Sequence, residues 1–326
     1  MVIMGKKLHT KKETEKLIKE GKTLIIAGSE KLLSKLPEGN WIGGSNPYLQ
    51  SPCGGLHTEE LLYVKDFSDL LIDSKFKVYD KNNIHQITTD AFENGIIATI
   101  MPANSEVLKE FAINSPEFEN QFLNPLLGWV SGTDFDKFGQ VAPTCYKSNE
   151  KFIDKAVALH IQLPKNIVAR LEILNAYEAS NSSEVITFEK DGFHNTDCFV
   201  GGKKYNFYKY IEDKNIETLI LVANYSGATI NIGLIKNEVS KNIFFAAPVF
   251  KDFEYKFAKK RTKDYKDFFN KNIDLSNIRY SYSCLYNFFY FELEKEALGI
   301  DGLFSYGEIA YQLLNVTFVY LVLDEI

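Results

Sequence analysis

The sequence predicts an α+β protein, in which mixed β-sheets are flanked by helices in two closely packed lobes. Helical segments, short β-rich runs and glycine breaks follow one another along the chain. With 326 residues and 45% hydrophobic content, the chain can bury one large core or two ordinary ones. Its 25 Phe and 18 Tyr residues are suited to bulky core positions on strands.

The first 80 residues are predicted to form two helices and four strands. A helix is expected over residues 11–19, where Gly21 ends it, and a second from the cap residue Ser29 to Leu36. Strands are expected at residues 23–27, 40–45, 61–67 and 75–79.

The same order of helix, strand, helix and glycine-bearing strand recurs over the next 50 residues. Helices are predicted at 83–92 and from the cap residue Asn104 or Ser105 to Ala112. Strands are predicted at 96–101 and 126–132, and the second ends in glycine and a hydroxyl residue, as Gly43-Gly44-Ser45 does. This recurrence predicts an internal duplication in the N-terminal lobe.

The remaining chain is predicted to be mainly strands. Asp191-Gly192 is a hairpin signal between 184–188 and 193–200. Helices are expected at 205–212, 263–270 and 284–297. Strands are expected at 156–163, 167–177, 218–223, 228–235, 243–250, 253–257, 278–283 and 318–323. A boundary near residue 215 would divide the chain into lobes 1–215 and 216–326.

Charge and cysteine content favour some protein classes over others. The formal net charge of −6 argues against a general nucleic-acid binder, which needs a cationic face. No secretory signal and no apolar run of about 18 residues is evident, so no membrane span is expected and the cytoplasm is the predicted compartment. Cys53, Cys145, Cys198 and Cys284 are widely spaced, which predicts reduced thiols.

The segment Gly302–Ala310, followed by Leu314-Asn315-Val316-Thr317 and an apolar strand, is the most informative part of the chain. Together with the glycine loops at 41–55 and 125–135, the element at 192–210 and Ser281–Cys284, it resembles the FIST (F-box and intracellular signal transduction) sensory domain family. The likeness covers most of the chain in order, with 1–215 similar to FIST N and 216–326 to FIST C.

This resemblance implies a sensory module that binds a small polar ligand, for example an amino acid, rather than an enzyme. Family members are often fused to kinases or chemoreceptors, so a histidine kinase or another signalling protein is the expected partner of a stand-alone member. Some members are linked to haem and nitric oxide, which makes a haem-dependent gas sensor the alternative. The family often has an arginine three residues after the cysteine, whereas this chain has Asn287, so an anionic ligand would lose a charged partner there.

The predicted ligand site combines the closing turn with the first glycine loop. Glu308 is the main candidate, either for a ligand amine or, as a structural residue, for the backbone of its own turn. Tyr306 either donates its hydroxyl to the ligand or fills the core. The remaining candidates either line the same hollow or serve tight turns and close packing: Gly307, Asn315, Thr317, Gly43, Gly44, Ser45 and Asn46.

Cysteine and histidine chemistry supplies the competing hypotheses. Cys284 lies between a strand and a helix, where a helix N-terminus can lower a thiol pKa, so it is either a reactive thiol or a buried apolar cysteine. It and the neighbouring Asn287 are ligand-site candidates. An enzyme would use Cys284 or Cys53 as its nucleophile, the latter with His57. The haem-ligand candidates are His57, His160 and His194. Neither a zinc motif nor a nucleophile elbow is evident in the sequence, so no metal site and no catalytic residue is predicted.

Overall fold

Three copies of one strand and helix pattern make up most of the protein. The computed structural model describes residues 8–137, 139–225, 227–259 and 265–325. Each copy has an edge strand, a helix, a strand, a crossover helix, a second strand parallel to the first, a hairpin and a returning antiparallel strand. We call these copies repeat 1 (residues 8–66), repeat 2 (73–162) and repeat 3 (167–325).

Repeats 1 and 2 have the same eight elements in the same order. Those of repeat 1 are β1 (Leu8–His9), α1 (Lys11–Lys19), β2 (Leu24–Gly28), α2 (Glu30–Leu33), β3 (Trp41–Ser45), β4 (Tyr48–Ser51), β5 (Gly54–His57) and β6 (Leu62–Asp66). Those of repeat 2 are β7 (Asp73–Tyr79), α3 (Gln86–Thr89), β8 (Gly95–Pro102), α4 (Glu106–Asn114), β9 (Leu126–Ser131), β10 (Cys145–Lys147), β11 (Glu150–Phe152) and β12 (Ala156–Gln162).

Repeat 3 contains an insertion after its edge strand β13 (Ile167–Asn175). The inserted elements are β14 (Ile186–Thr187), β15 (Gly192–His194), β16 (Asp197–Val200), β17 (Lys203–Asn206), α5 (Phe207–Asp213), β18 (Ile220–Tyr225), β19 (Ala228–Asn237), β20 (Asn242–Val249) and β21 (Tyr255–Phe257). The repeat then resumes with α6 (Tyr265–Asn272), β22 (Ile278–Cys284), α7 (Leu285–Tyr290), β23 (Gly302–Ser305), β24 (Glu308–Ala310), β25 (Gln312–Leu314) and β26 (Thr317–Glu325).

The three repeats exchange their hairpins in a closed cycle. The sheet orders are β1-β6-β2-β3-β10-β11, β7-β12-β8-β9-β24-β25 and β13-β26-β22-β23-β4-β5. The hairpin of repeat 1 therefore completes the sheet of repeat 3, that of repeat 2 completes the sheet of repeat 1, and that of repeat 3 completes the sheet of repeat 2. Each repeat supplies hydrogen bonds that another repeat's edge would otherwise lack.

Each parallel strand pair ends at a buried serine. In register, Gly28 pairs with Ser45, Pro102 with Ser131 and Cys284 with Ser305, and the three serines are almost fully buried. We call these three the repeat-end serines. They mark the carboxyl ends of parallel strands, where open α/β sheets commonly bind ligands.

The inserted strands form an eight-stranded sheet, β15-β20-β19-β18-β21-β14-β16-β17. One buried apolar cluster includes residues from both this sheet and the repeats, for example Phe245 and Ile100. The inserted sheet is thus packed on the same core as the repeats. Residue 215, the expected lobe boundary, lies inside it, between α5 and β18.

The structure confirms the α+β class with mixed sheets and few helices. Three helices are shorter than expected: the second covers Glu30–Leu33, the third Gln86–Thr89, and the one after Cys284 ends at Tyr290. The predicted hairpin is partly wrong, because β14 pairs with β16 while residues 192–194 join β20. Of the helix expected at 263–270, residues 263 and 264 lie outside the described residues.

The described part of the chain contains no helix that is long and apolar enough to cross a membrane.

Candidate functional site

The carboxyl group of Glu308 lies in the interior at the start of β24, fully buried. Its Oε2 atom accepts hydrogen bonds from Thr317 N at 3.1 Å and from Thr317 Oγ1 at 2.9 Å. Ser305 Oγ lies 3.3 Å from Oε1, and the Cys284 thiol donates to the same carboxyl group. Burial raises the pKa of Glu308 to about 8, although the hydrogen bonds from Thr317, Cys284 and Ser305 act in the opposite direction. The side chain is therefore mainly protonated at neutral pH.

An unusual backbone conformation brings Thr317 to Glu308. Val316, a β-branched residue, has φ 58°, in the left-handed region that such residues rarely adopt. The chain passes there from β25 to β26, which belong to different sheets, and Thr317 then donates from both its backbone and its side chain to one carboxyl oxygen. Strained residues of this kind persist where the surroundings enforce them, often near functional sites.

The other predicted residues of the closing turn make internal contacts. Tyr306 Oη donates to the Thr133 carbonyl at 2.6 Å. Asn315 and Asn287 are each 1% exposed, with their Nδ2 atoms donating to Leu314 O and Ser283 Oγ. In the described part of the chain, the Oδ1 atoms of both asparagines lack a hydrogen-bond partner.

Gly307 completes this turn beside Val130 and Leu313. A Cβ added at Gly307 would lie 3.0 Å from a side-chain carbon of each, so glycine gives this turn its close packing.

The Cys284 thiol lies in the interior of the protein. The thiol is buried at the start of α7, and burial together with the neighbouring Glu308 raises its pKa well above the usual value. The raised pKa favours a buried structural cysteine over a reactive thiol at Cys284, because desolvation outweighs any effect of the short helix. Cys53 is exposed at the tip of the β4–β5 hairpin, while His57 lies at its other end, opposite Tyr48. The three strand steps from Gly54 to His57 span roughly 10 Å at about 3.3 Å each, so the two side chains lie at opposite ends of the hairpin and do not form a catalytic pair.

The two glycine loops meet directly. Ser45 Oγ donates to the Gly132 carbonyl at 2.7 Å, and Gly132 N donates to the Ser45 carbonyl at 2.8 Å. Gly43 and Gly44 lie within β3, where a Cβ would approach Ile26 O and the Trp129 ring at 2.8 and 2.7 Å. Those two glycines allow close packing, whereas Ser45 and Asn46 lie at the surface of a hollow.

This hollow, which we call the open junction, lies at the carboxyl ends of β3 and β9. Its volume is about 280 Å³. It is lined by Ser29, Glu30, Lys31, Ser45, Asn46, Pro47 and Glu59 from repeat 1, and by Gly132, Thr133, Asp134, Lys137 and Val141 from repeat 2. Glu308 is not among these residues. It lies in the interior, whereas the Tyr306 ring packs on Gly132 at the edge of the hollow.

The position after each repeat-end serine differs between the repeats, and this difference explains the hollow. In repeat 1 it is Asn46, whose Nδ2 donates to the Phe304 carbonyl of repeat 3 at 2.8 Å. In repeat 3 it is Tyr306, which reaches Thr133 of repeat 2. In repeat 2 it is Gly132, which has no side chain to extend towards repeat 1. Glycine is required there because a Cβ would overlap the Tyr306 ring.

Charges of both signs surround the rim of the open junction. Lys137 Nζ lies 3.5 Å from Glu59 Oε1 and 3.6 Å from Asp134 Oδ2. His57 Nε2 lies 3.6 Å from the same Asp134 oxygen. The exposed Lys31 forms no ion pair with any acid in the described ranges. The floor, by contrast, consists of the buried polar residues Ser29, Ser45, Asn46 and Thr133. Asp134 belongs to the second glycine loop at 125–135, but no sequence signal marked it or Lys137 as a site residue.

The three histidines considered as haem ligands lie on different sheets. His57 is exposed and stacks on Tyr48 with ring centroids 4.8 Å apart, and His194 is exposed beside Phe244. His160 is fully buried, its Nε2 lies 2.9 Å from Tyr79 Oη, and burial lowers its pKa to about 4. Haem binding stays a prediction. Within the described ranges, no group of three or more His, Cys, Asp or Glu residues is arranged to hold a metal ion.

The model of a family of unknown function matches residues 9–324, nearly the whole chain. No curated protein matches the chain.

Proposed function

The chain belongs to that family, DUF6976, and we propose that it is a sensory protein that binds a small zwitterionic metabolite, such as an amino acid, in the open junction. The observation that carries this proposal is a hollow of about 280 Å³ with lysines and carboxylates together on its rim. Its location at the ends of parallel strands agrees with the common position of ligand sites in α/β sheets.

The size of the open junction suits a compact ligand. A water molecule occupies about 30 Å³ in the liquid, so 280 Å³ corresponds to roughly nine waters. An amino acid of about ten non-hydrogen atoms matches this space.

The arrangement of charges favours a zwitterion over an anion or a cation. Lys137 already pairs with Glu59 and Asp134, so a ligand entering there separates existing ion pairs. An ammonium group would replace the lysine beside these carboxylates, while a carboxylate would take Lys137 and Lys31. A ligand with a single charge would leave groups of the other sign unpaired, which costs affinity.

An exposed aromatic pair next to the rim offers a surface for signalling. Phe135 follows Asp134 directly, is 55% exposed, and contacts the 46% exposed Phe289 with ring centroids 5.3 Å apart. The backbone N–H of Phe135 donates to Tyr48 Oη at 3.0 Å. A ligand that holds Asp134 would therefore restrain this pair, and a cytoplasmic partner such as a histidine kinase would read the change.

Calorimetric titration and thermal-shift measurements with the twenty amino acids test the proposal. Once an amino acid is found to bind, Lys137→Gln and Asp134→Asn are each expected to remove one charge contact between the rim and that ligand. An exposed or half-exposed contact of this kind contributes about 0.2–1 kcal/mol, so the affinity should fall by up to about fivefold. The matched control is Lys109→Gln, an exposed lysine on α4 paired with Glu106 outside the hollow.

We expect both rim variants to weaken binding while the control retains wild-type affinity. If no amino acid raises the melting temperature, or if the two rim variants bind as tightly as the control, the proposal is wrong.

A further inference from the structure

The edge strand of repeat 3 is long and open on one side. β13 lies at the end of its sheet and pairs there with β26 in antiparallel register. Its nine residues make it the longest edge strand in the described part of the chain, since β7 has seven and the other edge strands have two to four. An exposed edge strand of this length presents backbone groups that can pair with another strand.

The bonds of Ile167 show which backbone groups of β13 point away from β26. Ile167 N donates to the Pro164 carbonyl at 2.9 Å, and the Ile167 carbonyl accepts from Asn94 Nδ2 at 3.2 Å, so both groups point outward. In an antiparallel ladder, the residues that bond to one neighbouring strand alternate with those that point to the other side. The next outward residues along β13 are therefore Ala169, Leu171 and Ile173.

These three outward residues form an open stretch of the edge. Among the described residues, no hydrogen bond joins their backbone groups to a side chain or to a loop. The stretch is bounded by Ile167 at one end and by Asn175, whose side chain contacts the inserted sheet, at the other. It is long enough for a second strand to form a short antiparallel ladder.

Opposite charges lie at the two positions that flank Leu171. Arg170 and Glu172 have side chains that are 51% and 39% exposed, and both lie on the same face of β13. Arg170 Nε donates to Asp324 Oδ2 at 2.6 Å, and its Nη1 donates to Glu172. Exposed pairs of this kind contribute little to stability, and a guanidinium group has five donors, so Arg170 can also bind a carboxylate from another molecule.

A two-fold axis through Leu171 satisfies the backbone and the charges together. If β13 pairs antiparallel with β13 of a second copy about this axis, each outward residue faces another outward residue, and each such pair exchanges two N–H···O=C bonds. The same register sets Arg170 opposite Glu172 of the second copy, and this contact occurs twice. The four charges then alternate in sign across the junction. An axis through Ala169 or Ile173 would not oppose these charges.

Exposed apolar side chains near both ends of the open stretch fit the same register. Val168 is 41% exposed and Ile173 is 46% exposed. Val168 would face Leu174 of the second copy, and Ile173 would face Ala169 of the second copy, so pairing removes apolar surface from water.

The next longest edge strand, β7, differs in its charges. It carries Lys75 and Lys77, one on each side of Phe76, and a symmetric pairing about Phe76 would bring these like charges together. Lysines of this kind prevent edge-to-edge association of natural sheets. The charges therefore favour self-pairing at β13 and disfavour it at β7.

We propose that the protein forms a homodimer in which β13 of one copy pairs antiparallel with β13 of a second copy about Leu171. The sheet of repeat 3 then continues from one copy into the other. No residue of β13 lines the open junction, so the dimer does not depend on the proposed function.

Sedimentation equilibrium with charge-reversed variants, at protein concentrations up to about 0.5 mM, tests this dimer. Arg170→Glu sets Glu against Glu172, and Glu172→Arg sets Arg against Arg170, at both symmetric positions. Each variant alone is expected to dimerise at least about fivefold more weakly than the wild type. An equimolar mixture of the two should associate again, because every Arg then faces a Glu. The matched control is Lys109→Glu, a reversal on α4 within an exposed ion pair, which should dimerise as the wild type does.

A backbone variant tests the same pairing without a change of charge. Ile173→Pro removes an outward N–H group and leaves the ladder with β26 intact, so it should weaken the dimer while circular dichroism shows a folded protein. A wild type that stays monomeric at every concentration would overturn the proposal, since the charges of β13 would then guard its edge as those of β7 do. A dimer that survives Ile173→Pro unchanged, or a mixture of the two charge variants that associates no better than either alone, would also overturn it.

Discussion

Replacing Glu308 by glutamine is expected to stabilise the protein at neutral and alkaline pH. Glutamine has the shape of the protonated acid. Its amide nitrogen can donate to Ser305 Oγ, and its oxygen can accept from Thr317 N and Oγ1, as the neutral carboxyl group does. The variant therefore keeps the hydrogen bonds with Thr317 and Ser305 and removes the group that must resist ionisation.

The magnitude follows from the pKa of Glu308, which is 4.5 ordinarily and about 8 in the folded protein. Below pH 4.5 the carboxyl group is protonated in both states, and it has no pH-dependent effect. As pH rises from 4.5 to 8, the unfolded chain releases the proton and the folded protein keeps it. Each pH unit then lowers the wild-type stability by about 1.4 kcal/mol, which amounts to about 3 kcal/mol at pH 7 and up to about 5 kcal/mol above pH 8.

Urea unfolding of both proteins between pH 4.5 and 9 measures this effect. The free-energy difference between Glu308→Gln and wild type should be small at pH 4.5, grow with pH, and level off above pH 8. Glu119→Gln removes an exposed carboxylate on the surface and should follow the wild type at every pH. Parallel pH profiles for wild type and Glu308→Gln would refute the assignment of a buried, neutral Glu308.

Three further predictions concern His160, the contact between Gly132 and Tyr306, and the cysteines. The pKa of His160 is lowered from 6.5 to about 4, so the folded protein binds fewer protons than the unfolded chain between these pH values. As pH falls from 6.5 to 4, the free energy of unfolding of the wild type should therefore decrease by up to about 3 kcal/mol relative to that of His160→Gln, as measured by urea unfolding. Gly132→Ala should destabilise the folded protein by about 1–3 kcal/mol, because the added methyl group overlaps the Tyr306 ring. In a double-mutant cycle measured by thermal melting, the same substitution should cost much less when Tyr306 has already been replaced by alanine. Iodoacetamide at pH 7.5 should label exposed Cys53 in the native protein and leave buried Cys284 unmodified, as read by peptide mass spectrometry; rapid native labelling of Cys284 would contradict its raised pKa.

Local patterns were sufficient to predict most elements of this fold. The cap residue Ser105 and the glycine breaks located helices and strands because these signals act between neighbours in sequence. The duplication in the N-terminal half was visible for the same reason. The third copy was not visible in the sequence, because the inserted sheet separates β13 from α6 and β22 and so interrupts the regular spacing of the repeat's elements. The exchange of hairpins between repeats depends on long-range pairing, which no local pattern records.

The candidate site was predictable only in part. Ser45 and Asn46 belong to a recognisable glycine loop, and they line the open junction. Lys137 and Asp134 reach the same hollow only because repeat 2 contributes its hairpin to the sheet of repeat 1. Glu308 was recognised from its position after Gly307, but the sequence could not tell an interior carboxyl group from one facing a ligand. That distinction depends on which residues cover it.

The most direct test of the account compares three forms of one compound by calorimetry: the amino acid found to bind, its amide, and the acid that lacks the amino group. Both rim charges are expected to contribute, so the zwitterion should bind about fivefold more tightly than either singly charged form, a difference of about 1 kcal/mol. Equal affinity for the amide or the deaminated acid would contradict a site built to hold both charges of one ligand.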